Sequence, residues 1–159
     1  MREQRIIKFR GRRKHGKEFL IGDLVRTCNG GPCIFPYDDS LGLNSPDYYE
    51  VDENTIGQYT GRKTIKGRDL YEGDIVFVEE SEPEGDKRYY LVIVWIPEWA
   101  MFASLHMDEY HKFLKEGAEA LDETMFWTYT IETAEKDFHY AGNIYENPEL
   151  KKHFDTTGQ

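Results

Sequence analysis

Imidazoles and carboxylates crowd at one place in the chain, where His106 and His111 bracket Asp108 and Glu109. Their chemistry would be metal binding or proton transfer. The spacing argues against it: histidines at i and i+5 do not share a helix face, whereas those of an H-E-x-x-H site stand at i and i+4. His139 lies between Phe138 and Tyr140 and reads as a strand residue. Glu72 and Asp74, two apart, would share one face of an extended segment, as paired carboxylates for acid–base work require. No partner base, nucleophile or metal cluster completes such a site. Asp74 therefore reads as a turn residue whose carboxylate bonds backbone N–H groups where a strand begins. Cys28 and Cys33 flank Gly30-Gly31-Pro32 with C-x4-C spacing, which suits neither a zinc knuckle nor a redox pair. There is no phosphate-binding loop, no G-x-S-x-G and no C-x-x-C. The expectation is a non-enzymatic protein with no catalytic residue, no metal and no cofactor.

Charge offers a second chemistry. The 159 residues carry 20 Lys and Arg against 30 Asp and Glu, a net charge of -10. Residues 1–17 hold eight basic groups and one acid (+7), so the remainder holds 12 basic against 29 acidic groups (-17). A basic arm carrying Arg10, Arg12, Arg13 and Lys14, with a basic loop at Arg62, Lys63 and Lys66, would suit nucleic-acid phosphate. The same asymmetry suits a homo-oligomer in which the basic end of one copy meets the acidic body of another. The acidic body repels duplex phosphate. Tyr59, Tyr71, Tyr89, Tyr90, Trp95 and Trp99 could stack on bases, yet their acidic setting favours core packing or an interface. A third reading is an acidic decoy that mimics nucleic acid and binds a host protein.

These groups need elements to position them. Strands are expected over 5–10 and 18–26, joined as a hairpin by the basic turn 11–16. Residues 27–47 read as loop around a short strand at 33–35. Further strands are expected at 48–51 and 55–59, followed by a turn-rich connection over 60–68. Gly73-Asp74 ahead of Ile75-Val76-Phe77-Val78 reads as a tight turn feeding a buried strand. Residues 79–87, acidic and holding Pro83 and Gly85, read as an exposed hairpin loop. Arg88–Ile96 is the strongest strand, its continuous apolar run implying burial on both faces or at an interface. Residues 98–103 would continue it or pair with it. Apolar side chains at helical spacing predict one helix over 106–122, weakened at Gly117. Residues 126–131 alternate and predict a strand, and 138–145 predict the last one. Asn147-Pro148 reads as N-cap and first residue of a helix, with fraying after about residue 154. No apolar run of about 18 residues exists for a membrane span, and no apolar stretch follows Met-Arg-Glu-Gln-Arg to make a secretory signal. A cytoplasmic location with reduced thiols is expected.

Two segments are dense in glycine, asparagine and aromatics, Gly57–Gly61 through Asp69–Val76 and Gly142-Asn143-Ile144-Tyr145-Glu146-Asn147-Pro148-Glu149-Leu150, and the start Ile7-Lys8-Phe9-Arg10-Gly11 joins them. Together they resemble the YopX family of bacteriophage and prophage proteins. The resemblance implies an origin in a mobile element and implies no biochemistry. It carries over Gly57, Gly61, Tyr71, Gly73, Asp74, Gly142, Asn143, Ile144 and Tyr145 as structural motif positions. The insert at 27–47 and the helical stretch at 106–122 fall outside its pattern. The expected fold is mainly β (α+β): a small, SH3-like, partly open β-barrel with one helix over 55–154. An N-terminal β-hairpin and loop-rich region over 1–54 precedes it, and a disordered tail at 155–159 follows. The expected function is that of a phage- or prophage-encoded interaction protein that self-associates and contacts a host or phage protein. Nucleic-acid binding through the basic arm is the alternative.

Overall fold

The computed structural model describes residues 2–26, 30–38 and 49–151. The chain divides into two compact units, Met1–Gly61 and Arg62–Gln159. The tail after residue 154, Cys28 and most of the 27–47 insert lie outside the described residues.

In the first unit, β1 (Phe9–Arg12), β2 (Phe19–Val25), β3 (Cys33–Pro36) and β4 (Gly57–Lys63) lie in the order β3-β2-β1-β4. β1 and β2 form the expected antiparallel hairpin, with Phe9 opposite Gly22 and Arg12 opposite Phe19. β1 begins later than its apolar pattern suggests, and it takes in Gly11 and Arg12, which were expected in the turn. Two partners hold it: β2 on one side and β4 on the other, where Arg10 faces Gly57. Leu20, Ile34 and Val51 form the core, with Phe9, Leu24, Tyr49 and Ile56 packed around them. The strand expected at 48–51 is reduced to two isolated bridges, Arg13 to Val51 and Cys33 to Glu50. Asp52 ends it by accepting the Asn54 N–H at 3.0 Å, which turns the chain into a 3-10 turn at Glu53–Thr55. Thr55 is buried, and its hydroxyl oxygen accepts the Arg12 N–H at 2.8 Å. β4 runs on to Lys63, so the connection expected from residue 60 is shortened to a turn closed by Thr64 N–H donating to the Arg68 carbonyl at 2.8 Å.

The second unit contains β5 (Asp69–Tyr71), β6 (Asp74–Glu82), β7 (Gly85–Ile96), β8 (Met101–His106), α1 (Met107–Glu116), α2 (Phe126–Tyr129), α3 (Ala134–Asp137) and β9 (His139–Asn143). Its four-stranded antiparallel sheet has the order β8-β7-β6-β9. β8 and β9 are its two edges and do not pair with each other. Among the described residues the sheets are therefore open, and the SH3-like barrel expected from the sequence is not observed. The mainly β character with one main helix holds.

β7 is buried on both faces, as its apolar run requires. Val92, Val94 and Ile96 join one core with Ile75, Ala103, Leu105, Met107 and Tyr110. Leu91 and Ile93 join the other with Leu70, Val76, Ile131, Ala134 and Phe138. The period of two assigns alternate residues to the two layers. One is covered by α1 and the other by the segment through α3. Leu91 to Val94 and Ile96 are thus buried internally, while Trp95 stays 38% exposed.

α1 matches the predicted helix. Glu109 Oε2 accepts the His106 N–H at 3.1 Å at its start. Gly117, at φ 70°, ends it with its N–H donated to the Phe113 carbonyl. The hairpin expected over 79–87 is present, with its loop narrowed to the two residues Pro83–Glu84 between paired strands. Cross-strand partners hold the strands extended that far: Arg88 to Glu79 at 3.0 Å, Lys87 to Glu82, and the Tyr89 hydroxyl to Glu82 at 2.6 Å.

The strand expected at 126–131 is helical in the structure. Asp122 accepts the Thr124 N–H at 2.9 Å and starts a 3-10 turn that leads into α2. Thr128 and Thr130 then donate their hydroxyls to the carbonyls three residues back. No neighbouring strand edge takes the segment up, and β propensity is realised only against such a partner. The helix start expected at Asn147-Pro148 is present as the 3-10 turn Pro148–Lys151, whose Leu150 N–H donates to the Asn147 carbonyl at 3.0 Å, while the Asn147 side-chain oxygen accepts the Asn143 N–H behind it at 3.1 Å.

Burial raises the pKa of Tyr110, and burial together with the nearby Glu109 raises that of Tyr129. Above about pH 10 the unfolded chain sheds these protons before the folded one does, so stability falls as pH rises from there. Phenolate absorbance during an alkaline titration should show Tyr110 and Tyr129 lagging, together with Tyr37 and Tyr89, whose hydroxyls donate to Asp23 and Glu82. Substituting Tyr110 and Tyr129 with Phe should reduce the alkaline loss of stability, and an unchanged slope would refute it.

Candidate functional site

The motif residues of the second unit converge on one junction. Asp74 faces Asn143 and Ile75 faces Gly142 across β6 and β9. Asp74 is fully buried, and its Oδ2 accepts the Tyr71 N–H at 2.8 Å. The Asn143 oxygen accepts the N–H groups of Tyr145 (3.0 Å) and Glu146 (2.9 Å), while its amide donates to the Glu146 carboxylate at 2.8 Å. Gly73 donates its N–H to the Ile93 carbonyl and accepts the Ile144 N–H on its own carbonyl. At φ 85°, with the Tyr145 ring 2.9 Å from where a Cβ would stand, Gly73 has neither the backbone nor the space for a side chain. The cluster stitches two turns to three strands and offers no cavity chemistry. Glu72 sits half-buried in the turn, while Asp74 is enclosed, so the two do not form a working pair. Gly57 and Gly61 lie on β4 in the first unit.

The sequence did not signal the larger feature. A groove of about 1100 Å³ runs along the second unit between β6–β8 and the segment from Trp127 to His139. Its floor includes Val78, Tyr89, Leu91, Ser104 and His106. Glu79, Glu80, Glu109, Glu132 and Asp137 put five carboxylates around it against the single ammonium of Lys136. Trp127, 69% exposed, stands on its wall beside Tyr129. The Tyr129 hydroxyl donates to Glu109 at 3.2 Å and accepts the Asp122 N–H at 3.3 Å, which fixes the wall to the start of α1. Such a lining can hold cations through carboxylates and aromatic faces and can cover aliphatic stems. The groove gathers His106 and His139, but His111 is exposed on α1 and is not among its residues. The His139 ring stacks on Phe77 at 4.8 Å. Among the described residues, no group of three or more His, Cys, Asp or Glu is arranged to hold a metal ion.

The basic residues singled out for phosphate contact are mostly met by acids. Arg10 is buried, with its guanidinium over the Phe19 ring at 5.5 Å. Arg12 faces Asp52 at 3.7 Å, Arg13 faces Glu18 at 3.2 Å, and Lys14 faces Glu50 at 2.7 Å. Hydrogen bonding to Glu50 raises the Lys14 pKa. In the second unit Arg62 faces Glu135 at 3.5 Å and Lys63 pairs with Asp69, while Lys66 is exposed. A smaller hollow in the first unit, about 560 Å³, has Arg12, Arg13, Lys14 and Lys17 on one side and Glu50, Asp52 and Glu53 on the other. Cys33 lies on β3 and donates weakly to the Gly31 carbonyl.

Two β-rich units, one bearing an acidic, aromatic-walled groove, define a mainly β protein. The chain belongs to the YopX protein family, whose model matches residues 8–152. The crystal structure of protein EF1440 from Enterococcus faecalis is similar, with 22% identity and a TM-score of 0.44. The match covers 92% of this chain and 98% of that one. Among curated proteins, none matches. Among the described residues no helix is long and apolar enough to cross a membrane.

Proposed function

We propose that this chain is a non-enzymatic interaction protein, encoded by a phage or prophage and acting in the cytoplasm, whose groove holds an extended cationic segment of a protein partner. The observation that carries the reading is the groove's lining: five carboxylates, of which Glu79 is paired with Arg88, one lysine and an exposed tryptophan. Carboxylates select positive charge, and the indole face adds a cation–π surface of about 0.5–2 kcal/mol. The apolar floor suits the aliphatic stems of Arg and Lys. Ser104 and His106 share the groove on β8, but its acidic and aromatic lining favours holding over turnover. The ion pairing of the basic residues gives the nucleic-acid alternative no comparable support.

The test is a titration of the whole protein with a short Arg- and Ile-bearing peptide, an acidic peptide and a single-stranded oligonucleotide, at low and high salt. The cationic peptide should bind, more weakly as salt rises, and the other two should not. Trp127→Ala should weaken it roughly tenfold, a change of about 1.4 kcal/mol. Binding of the oligonucleotide alone would overturn the reading.

A further inference from the structure

We propose that the occupant of this groove is the Arg2–Lys8 segment of a second copy of the chain, an inference that rests on the groove reading above. The segment precedes β1 and belongs to no strand. It presents Ile6 and Ile7 at 61% and 52% exposure. Adjacent side chains of an extended segment point in opposite directions, so a sheet edge of its own unit could cover one but not both. A groove with a floor and a wall can cover both. Charge agrees: the segment carries Arg2, Arg5 and Lys8 against Glu3, while the groove holds Glu80, Glu109, Glu132 and Asp137 against Lys136, besides Glu79, which Arg88 already meets. Lys8 is placed over its own Tyr59 ring at 4.7 Å, which leaves Arg2 and Arg5 as the cations for the partner. Arg5 against the exposed Trp127 face, with Ile6 or Ile7 over Val78 and Leu91, uses each feature that the two surfaces offer. Two copies that exchange segments this way close a two-fold dimer, and a one-way exchange builds a ring or chain.

The experiment is light scattering on a sizing column with the full chain and two variants, Arg2→Glu/Arg5→Glu and Trp127→Ala, with circular dichroism as the check on folding. The wild type should be multimeric, and each variant alone should be monomeric. Mixing the variants should restore association, because the first keeps an intact groove and the second an intact segment. A synthetic peptide of residues 2–8 should dissociate the wild-type multimer. A monomeric wild type, or a multimer indifferent to Arg2→Glu/Arg5→Glu, overturns the proposal. The Arg- and Ile-bearing peptide separates the two failures when titrated into Arg2→Glu/Arg5→Glu. If it binds there while assembly ignores the segment, only the occupant is wrong. If it does not bind, the groove reading falls as well.

Discussion

Gly22→Ala should cost about 3 kcal/mol or more and is expected to be the most damaging single-methyl addition in the first unit. Gly22 lies opposite Pro36 where β2 meets β3. A Cβ there would stand 1.8 Å from the Phe35 carbonyl oxygen, 2.6 Å from its carbon and 2.9 Å from the Pro36 Cα. All three are backbone atoms, so no rotamer change relieves the clash. β2 and β3 must separate, which opens the core at the fully buried Ile34. Gly31→Ala makes a fair control, since the nearest atoms to its Cβ belong to the Glu50 side chain, which can turn aside at the cost of its exposed Lys14 pair. Urea unfolding should place Gly22→Ala far below wild type and Gly31→Ala close to it. Equal midpoints for the two would show that β3 does not approach β2 this closely.

Asp74→Ala should be the corresponding loss in the second unit, about 3 kcal/mol. About 1–3 of that is the orphaning of a buried donor, and the emptied space supplies the rest. The donor is the Tyr71 N–H, held by Oδ2 inside a turn whose neighbours Leu70 and Tyr71 are themselves buried. Asp74→Asn keeps the shape and one acceptor oxygen, so it should recover a good part of the loss. The comparison separates hydrogen bonding from charge, which Asp74→Ala alone cannot do. If Asn proves as costly as Ala, the negative charge and not the acceptor is what the turn requires. If Ala costs under about 1 kcal/mol, the turn is held by the Gly73 and Asn143 bonds without it.

The parts of this fold that were legible in the sequence are those set by local chemistry. Gly73-Asp74 announced its turn because few residue pairs do that work, and the unbroken apolar run of β7 announced a strand with two buried faces. α1 followed from its spacing, and its end from Gly117. The misread segments are those whose state depends on a distant neighbour. Phe126–Ile131 alternates as a strand does, yet Tyr129 and Ile131 serve different cores and the segment pairs with neither edge of the sheet. Residues 79–82 and 85–87 look like solvated loop until their charges are seen facing each other across β6 and β7. The barrel failed for a similar reason: closure depends on which strand ends meet, and that information is not local. The groove was invisible because its lining spans Val78 to His139, and no single segment carries enough of it to form a motif. The basic residues were conspicuous in sequence, but their acidic partners lie far away, as Glu50 does from Lys14.

The position of β9 has a consequence for the chain as it is being made. β6 and β7 are joined by two residues and can zip together as soon as both exist. β9, which pairs with the other side of β6, comes only after β8, α1 and the whole groove wall. Throughout that stretch of synthesis β6 carries an open edge, with β-branched and aromatic side chains along it. The newborn protein is thus most prone to pairing with the wrong strand between the emergence of Glu82 and that of Asn143. The hydrogen bonds of Asn143 are the event that ends this vulnerable interval.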